Sequence, residues 1–265
     1  AMTSSGFQFP QGHITVSISP AYVRKGGSSF DLPTALGILI ASNQLRCNRE
    51  IYAEGELSLN GELRKTPGAG LRLLGINDIQ DDLLIIIPEE ERESGACAGI
   101  RGITVRSLRD AYNAIAESKD PYKIEAQISS NNYEDDVLDF SCVKGQEKAS
   151  RALLLAAAGR HNTLLLGSPG CGKTMAAELI RGIMPPLESS QIPKIYAIRE
   201  VCGLSIEEGR EILAAKRPFR KIYPGVSLTS VIGSPSGLKP GEVTLAHEGV
   251  LFADEICEFK GSVLD

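Results

Sequence analysis

The sequence predicts an α/β protein in two unlike parts: an α+β domain at 1–118 and part of a parallel-sheet domain at 139–265. Three observations predict it. Residues 167–174 read GSPGCGKT, between an apolar run and a helical stretch; strand, glycine loop and helix in that order are the context of a P-loop. Residues 250–255 read VLFADE, an apolar run that delivers two carboxylates at its end. The first half mixes strand-period and helix-period segments, the order of an α+β domain.

Length and charge bound the rest. The 265 residues suffice for two cores, and 23% charged with 42% hydrophobic residues is ordinary globular composition. The net charge of −5 excludes a global basic field for nucleic acid, though not a local strip. No apolar run approaches the roughly 20 residues that span a bilayer, and no signal-peptide pattern opens the chain; a cytoplasmic protein is expected. The six cysteines include no Cys-x-x-Cys pair and the three histidines are far apart, so no Cys/His metal site is expected. The chain begins at Ala1 and stops at Asp265 with neither a helix stop nor a polar tail, as a segment cut at both ends would.

Along the chain, HITVSIS at 13–19 alternates like a half-buried strand. A glycine turn follows, then a helix start at Asp31-Leu32-Pro33 and an apolar helix to about Ser42. Residues 51–64 read as strand, Asn60-Gly61 turn and return strand. Leu83 to Ile87 is a short buried strand and Arg109 to Ser118 an amphipathic helix. Glu89, Glu90, Glu91 and Glu93 read as a solvated loop. Residues 119–138 are polar and acidic and read as a linker. VKGQEKASRALLLAAAG predicts a helix stopped by Gly159. NTLLLG at 162–167 predicts a buried strand, and the helix opened by Thr174 ends at Pro185-Pro186.

In GxxxxGK[ST], glycines let successive N–H groups surround phosphate oxygens, and the helix end adds positive potential. Gly167, Ser168, Pro169, Gly170, Cys171 and Gly172 form that cradle here. Lys173 reaches the β- and γ-phosphates of ATP and Thr174 binds Mg²⁺ through its hydroxyl. Asp254 completes the metal shell and Glu255 polarises the attacking water. An Asp-Glu pair of this kind points to hydrolysis. Arg217, Arg220, Lys221 and Lys239 make a basic, glycine- and proline-rich stretch before VLFADE, a candidate DNA contact.

The wider pattern resembles the ComM/YifB family of magnesium-chelatase-like AAA+ ATPases. FDLPTALGIL (30–39) and GELSLNGELR (55–64) resemble its N-terminal domain; DFSCVKGQEKASRALLLAAAGRHN (139–162), the P-loop and PGEVTLAHEGVLFADEICEF (240–259) resemble its ATPase module. The resemblance implies a Lon-protease-like first domain, a hexameric ring of AAA+ modules, and ATP-driven branch migration of DNA in transformation and recombination. It also implies that Val143, Lys144 and Gly145 lie near the adenine.

Three departures stand out. Several dozen residues usually precede GFQFP (6–10), and the second half of the AAA+ module, with its sensors and arginine finger, would follow Asp265. The His-His pair that often follows RPFR is replaced by KIYPGVS (221–227). Two other readings remain. A Lon-type peptidase would use Ser29 with a lysine base, but no lysine occurs between Lys65 and Lys119. A metal-chelatase motor, or a protein-remodelling one, would share the VLFADE block.

Overall fold

The computed structural model describes residues 1–19, 27–76, 83–126, 140, 143, 145–168, 170–234 and 239–264. They fall into two compact units, Ala1–Ile128 and Ser129–Asp265. No helix among the described residues is long and apolar enough to cross a membrane.

In the first unit, helix α1 (Asp31–Ala41) buries Leu32, Ala35, Leu36 and Leu39, a spacing of three and four residues that makes one apolar face. Strand β1 (Ile51–Ala53) is followed by an antiparallel hairpin, β2 (Glu56–Leu57) and β3 (Leu63–Arg64), around the Asn60-Gly61 turn. Gly61 takes φ +91°, the left-handed backbone that such a turn requires. Thus 51–64 holds the expected hairpin and, before it, a separate strand that joins another sheet. Then come α2 (Ala69–Ile76), β4 (Leu84–Pro88), α3 (Arg92–Cys97), β5 (Arg101–Val105), α4 (Leu108–Ala116) and β6 (Tyr122–Lys123).

The sheet order is β1-β4-β5-β6; β1, β4 and β5 are parallel and β6 is antiparallel. Leu84 and Ile86 of β4 meet α1 and α4 on one face, while Ile85 and Ile87 join Leu73 of α2 on the other. Both faces are therefore covered, which explains the unbroken LIII run. This layering, with helices on both faces of a mainly parallel sheet, corrects the expected α+β segregation. Gly102 of β5 has no room for a side chain, since a Cβ there would stand 2.7 Å from the Ile85 carbonyl oxygen. Gly102→Ala is expected to cost about 1–3 kcal/mol, read as a lower urea midpoint at unchanged slope.

Three expectations fail in this unit. Residues 13–19 are exposed and form no strand. They line an open groove along α1 with Pro33, Gly37 and Ala41; alternation makes a strand only where a ladder lies alongside. The linker expected from residue 119 instead begins with β6 and with Ile124, which is 1% exposed; residues 127–138 lie outside the described residues. The acidic run is a 3-10 turn (Glu89–Glu91) leading into α3, and Glu91 is only 1% exposed.

A polar cluster surrounds Glu91. Its Oε1 accepts from the Thr66 amide (2.7 Å) and hydroxyl (3.0 Å). The Arg72 guanidinium donates to Thr66 Oγ1 (2.6 Å), to the Pro67 carbonyl (2.8 Å) and to buried Glu54. One planar fork thus ties β1, α2 and the loop between β3 and α2 together. Burial first, and then the Glu54 charge, push the Glu91 carboxyl up to about 8 against the Thr66 donors and Arg72.

The second unit runs α5 (Glu147–Gly159), α6 (Lys173–Ile183), α7 (Ile192–Val201), α8 (Ile206–Leu213), β7 (Phe219–Ile222), α9 (Leu228–Ile232), β8 (Gly233–Ser234), β9 (Lys239–Pro240), α10 (Glu242–Leu245), β10 (Val250–Ala253) and α11 (Gly261–Leu264). Strands β7 and β10 are parallel, and β8 and β9 form an antiparallel hairpin. Alanine-rich faces bring α5 against α6, burying Leu153, Ala156 and Ala157 beside Ala176, Ala177 and Leu179. Helix α5 ends at Gly159 as expected, although the left-handed residue that caps it is Arg160 rather than the glycine. A Cβ at Gly159 would meet the His161 ring, an exposed side chain that can turn aside.

The strand expected at 162–167 is absent, and Leu164 and Leu166 are 65% and 82% exposed. An apolar strand needs ladder partners to hide its backbone, and among the described residues the parallel ladder of this unit is β7 with β10. Strand β10, expected to be buried, is half-exposed for the same reason.

Candidate nucleotide site

Helix α6 starts at Lys173 with Gly172 as its N-cap, at φ +85°, and Gly170 takes φ +78°. A side chain at either position costs about 1–2 kcal/mol. No side chain caps α6, so the first N–H groups of an eleven-residue helix remain available to an anion. The Lys173 ammonium folds back onto the carbonyls of Gly167 (2.7 Å) and Ser168 (2.9 Å) and lies 3.8 Å from Cys171 Sγ. Gly167 has its own constraint, since a Cβ would approach Cys171 Sγ to 3.0 Å. Pro169 and Lys144 lie outside the described residues.

Gln146 reaches across from the start of α5, and its amide nitrogen donates to the Cys171 carbonyl. This bond fixes the segment that contains Val143 and Gly145 against the loop; Gly145 takes φ +76° to make the turn. Motif reading did not single out Gln146, which stands beside the predicted three and touches the loop directly.

Strand β10 ends at Ala253, and the Asp254 amide continues the ladder to the Ile222 carbonyl (3.1 Å). Asp254 follows directly, and Glu255 turns outward in the left-handed conformation (φ 53°), exposed to solvent. Lys221 of β7 links helix α6 to the end of β10. Its ammonium lies 3.4 Å from Glu178 Oε1 and 3.5 Å from Asp254 Oδ2. Glu178 stands one turn after Thr174 on α6, so both share a face. The Thr174 face of α6 therefore looks toward the carboxyl end of β10. No contact ties Glu255 to Lys173.

The basic stretch is mostly committed internally. Arg217 is 3% exposed and donates to the Glu248 carbonyl (2.6 Å) and the Pro186 carbonyl (3.2 Å). Arg220 grips Glu242 through two bonds (2.5 and 2.8 Å), which hold its pKa above the usual arginine value. Lys221 is held by the two carboxylates just described. Only Lys239, on β9, is exposed, so Arg217, Arg220 and Lys221 do not form the free cationic strip that the sequence suggested.

Comparison with known proteins bears on both halves of the chain. The family model for magnesium chelatase, subunit ChlI, matches residues 139–265, and a second ChlI model matches residues 1–91. The chain is 35% identical over its whole length to uncharacterized protein YifB of Escherichia coli and covers 52% of that protein. It is 34% identical, again over its whole length, to competence protein ComM of Haemophilus influenzae and covers 52% of it. A shorter match, 32% over 124 residues, is to Lon protease 2 of Bacillus subtilis, 45% of this chain and 22% of that protein. The chain spans about half the length of the first two relatives. With both halves matched by chelatase-subunit models and 34–35% identity to both relatives along the whole of this chain, it belongs to the magnesium-chelatase-like family of ComM and YifB.

Proposed function

We propose that the full-length protein is an ATP-hydrolysing AAA+ motor that works as a ring, with a hexamer as the expected size, and remodels DNA in the cytoplasm. The observation that carries the reading is the Lys173 ammonium, parked on loop carbonyls at the uncapped start of α6, beside a face that leads through Glu178 and Lys221 to Asp254. Lys173 moves from the carbonyls to the phosphates when ATP arrives. The loop amides of Gly170, Cys171 and Gly172 and the α6 N-terminus bind the β-phosphate, and Val143 with Gly145 borders the base.

The donor set fits Mg²⁺: a threonine hydroxyl and a carboxylate are hard oxygens, and the carboxylate already attracts a cation here, the Lys221 ammonium. Thr174 and Asp254 would hold the ion, which neutralises charge on the phosphates when bound. Glu255, outward and solvated, holds and orients the attacking water and accepts its proton.

The DNA role is supported by the competence label of one relative, and Lys239 on the β8–β9 hairpin is its exposed cation. The first unit is read as a Lon-like domain without peptidase activity. The short match to Lon protease 2 supports the likeness. Against proteolysis, no lysine between Lys65 and Lys119 is available as the base for Ser29.

The test is ATP hydrolysis by the full-length protein with and without a four-way DNA junction. Stimulation by the junction, weakened in Lys239→Glu and reduced roughly 100-fold or more in Glu255→Gln, is the expected result. Turnover indifferent to every DNA form would overturn the DNA reading in favour of chelatase-type or protein remodelling. No turnover at all would overturn the motor.

A further inference from the structure

Lys221 is a cation built into the approach to a metal-binding carboxylate. Its ammonium lies 3.5 Å from Asp254 Oδ2 and 3.4 Å from Glu178 Oε1. It also sits 5.0 Å from the centroid of Tyr223 and 5.4 Å from that of Phe252, within range of cation–π attraction. Strand pairing sets this position, since the parallel register places Lys221 opposite Phe252, two residues before Asp254. Phe252 is in turn stacked on Phe219 at 6.2 Å. Lys221 is therefore no loosely waving surface lysine; its side chain is 21% exposed.

We propose that Lys221 is a tethered competitor for the divalent metal: it neutralises Asp254 while the site lacks metal and must be displaced before that carboxylate can take a metal ion. The proposal rests on Asp254 being a metal ligand, as read above, and adds the residue that sets how much metal the site requires. Two positive charges cannot share one monodentate carboxylate at close range without mutual repulsion. Glu178 gives the displaced ammonium a place to go, since it already holds the other side of Lys221. The carboxylate pair thus works as a two-position rail: Lys221 shared between Glu178 and Asp254 without metal, and on Glu178 alone with it. Because Glu178 is on α6, metal arrival is felt by the helix that carries Lys173 and Thr174.

The rail makes predictions of opposite sign for two charge-removing variants. Lys221→Met keeps the apolar stem over the rings and removes the competitor, so metal should bind about three- to fivefold more tightly, the scale of a partly exposed ion pair. Glu178→Gln removes the place where the ammonium retreats, so metal should bind more weakly by a similar factor. Lys221→Arg keeps the charge and should stay near wild type. The readout is Mn²⁺ binding to the full-length protein with saturating ADP, followed by electron paramagnetic resonance, with no turnover involved. Asp254→Asn is the control for the underlying reading: if it leaves Mn²⁺ affinity unchanged, Asp254 is not a ligand and the reading itself falls. If Asp254→Asn weakens binding while Lys221→Met also weakens it or leaves it unchanged, the metal site stands and the competitor role is overturned. General damage to the fold would weaken binding in every variant, so tighter binding in Lys221→Met identifies competition.

Discussion

Lys173→Ala in the full-length protein is expected to weaken ATP binding by roughly 100-fold or more while leaving the fold intact. The ammonium now satisfies two neutral carbonyls, at 2.7 and 2.9 Å. On phosphate it would make charge-assisted bonds worth about 1.5–3 kcal/mol each. The carbonyl bonds given up have the same ionised donor, so the gain is the attraction between opposite charges. That attraction is about 4 kcal/mol at about 4 Å near a protein surface and about 3 kcal/mol after desolvation, a factor of about 100. Fluorescent-nucleotide titration of the variant measures this directly. Lys173→Arg should not restore binding, because a planar fork does not replace a compact ammonium inside a tight loop. Stability without nucleotide should hardly change, since the side chain is half-buried and its partners can turn to water. Nucleotide affinity within about threefold of wild type would remove Lys173, and with it the phosphate cradle, from the account.

The second large effect concerns pH and the first unit. Glu91 is buried beside Glu54, and a single guanidinium serves both carboxylates. Arg72 bonds Glu54 directly, so Glu91 is the one that keeps a proton. Its pKa rises from 4.5 to about 8. In the unfolded chain a glutamate is ionised above about 4.3, so between these values the folded state holds a proton that the unfolded state releases. The contribution to stability is therefore complete below pH 4.5 and is lost as pH rises toward 8.

The full shift would correspond to about 5 kcal/mol, and relaxation around the cluster brings the expected loss to about 2–4 kcal/mol. Urea midpoints between pH 5 and pH 8.5, wild type against Glu91→Gln, isolate this group from the others that titrate. Glutamine keeps an acceptor for Thr66 and carries no charge, so the variant should lose most of the slope and be the more stable protein at high pH. Identical pH profiles for the two proteins would show that Glu91 is ionised in the folded state.

Sequence reading placed the glycine loop at the start of α6, Asp254-Glu255 after the end of β10, the α1 and α4 helices and β4, because each carries its signal locally. Glycine spacing, an apolar run before carboxylates and helical periodicity need no knowledge of what lies alongside. It failed wherever a neighbour decides. HITVSIS and NTLLLG have the pattern of strands, but pairing requires a second strand at the right edge. The glutamate run at 89–93 looks like solvated charge until the Thr66 loop folds over Glu91 and Arg72 arrives from α2. Lys221 is the sharpest case. In sequence it is one cation of a basic stretch; its role depends on β7 pairing in register with β10 and on Glu178 facing them from α6.

One feature of the first unit bears on how such a chain can diverge. In most half-buried strands every second position is free to drift, because its side chain meets only water. Strand β4 has no such positions: Leu84, Ile85, Ile86 and Ile87 are all 4% exposed or less. An Ile→Val exchange there costs about 0.5–1.5 kcal/mol, which a marginally stable domain can absorb once or twice. A threonine at the same site adds a hydroxyl with nowhere to bond and is far harder to tolerate. Inheritance along this strand is therefore confined to a small aliphatic alphabet, and lineages must accumulate their differences elsewhere.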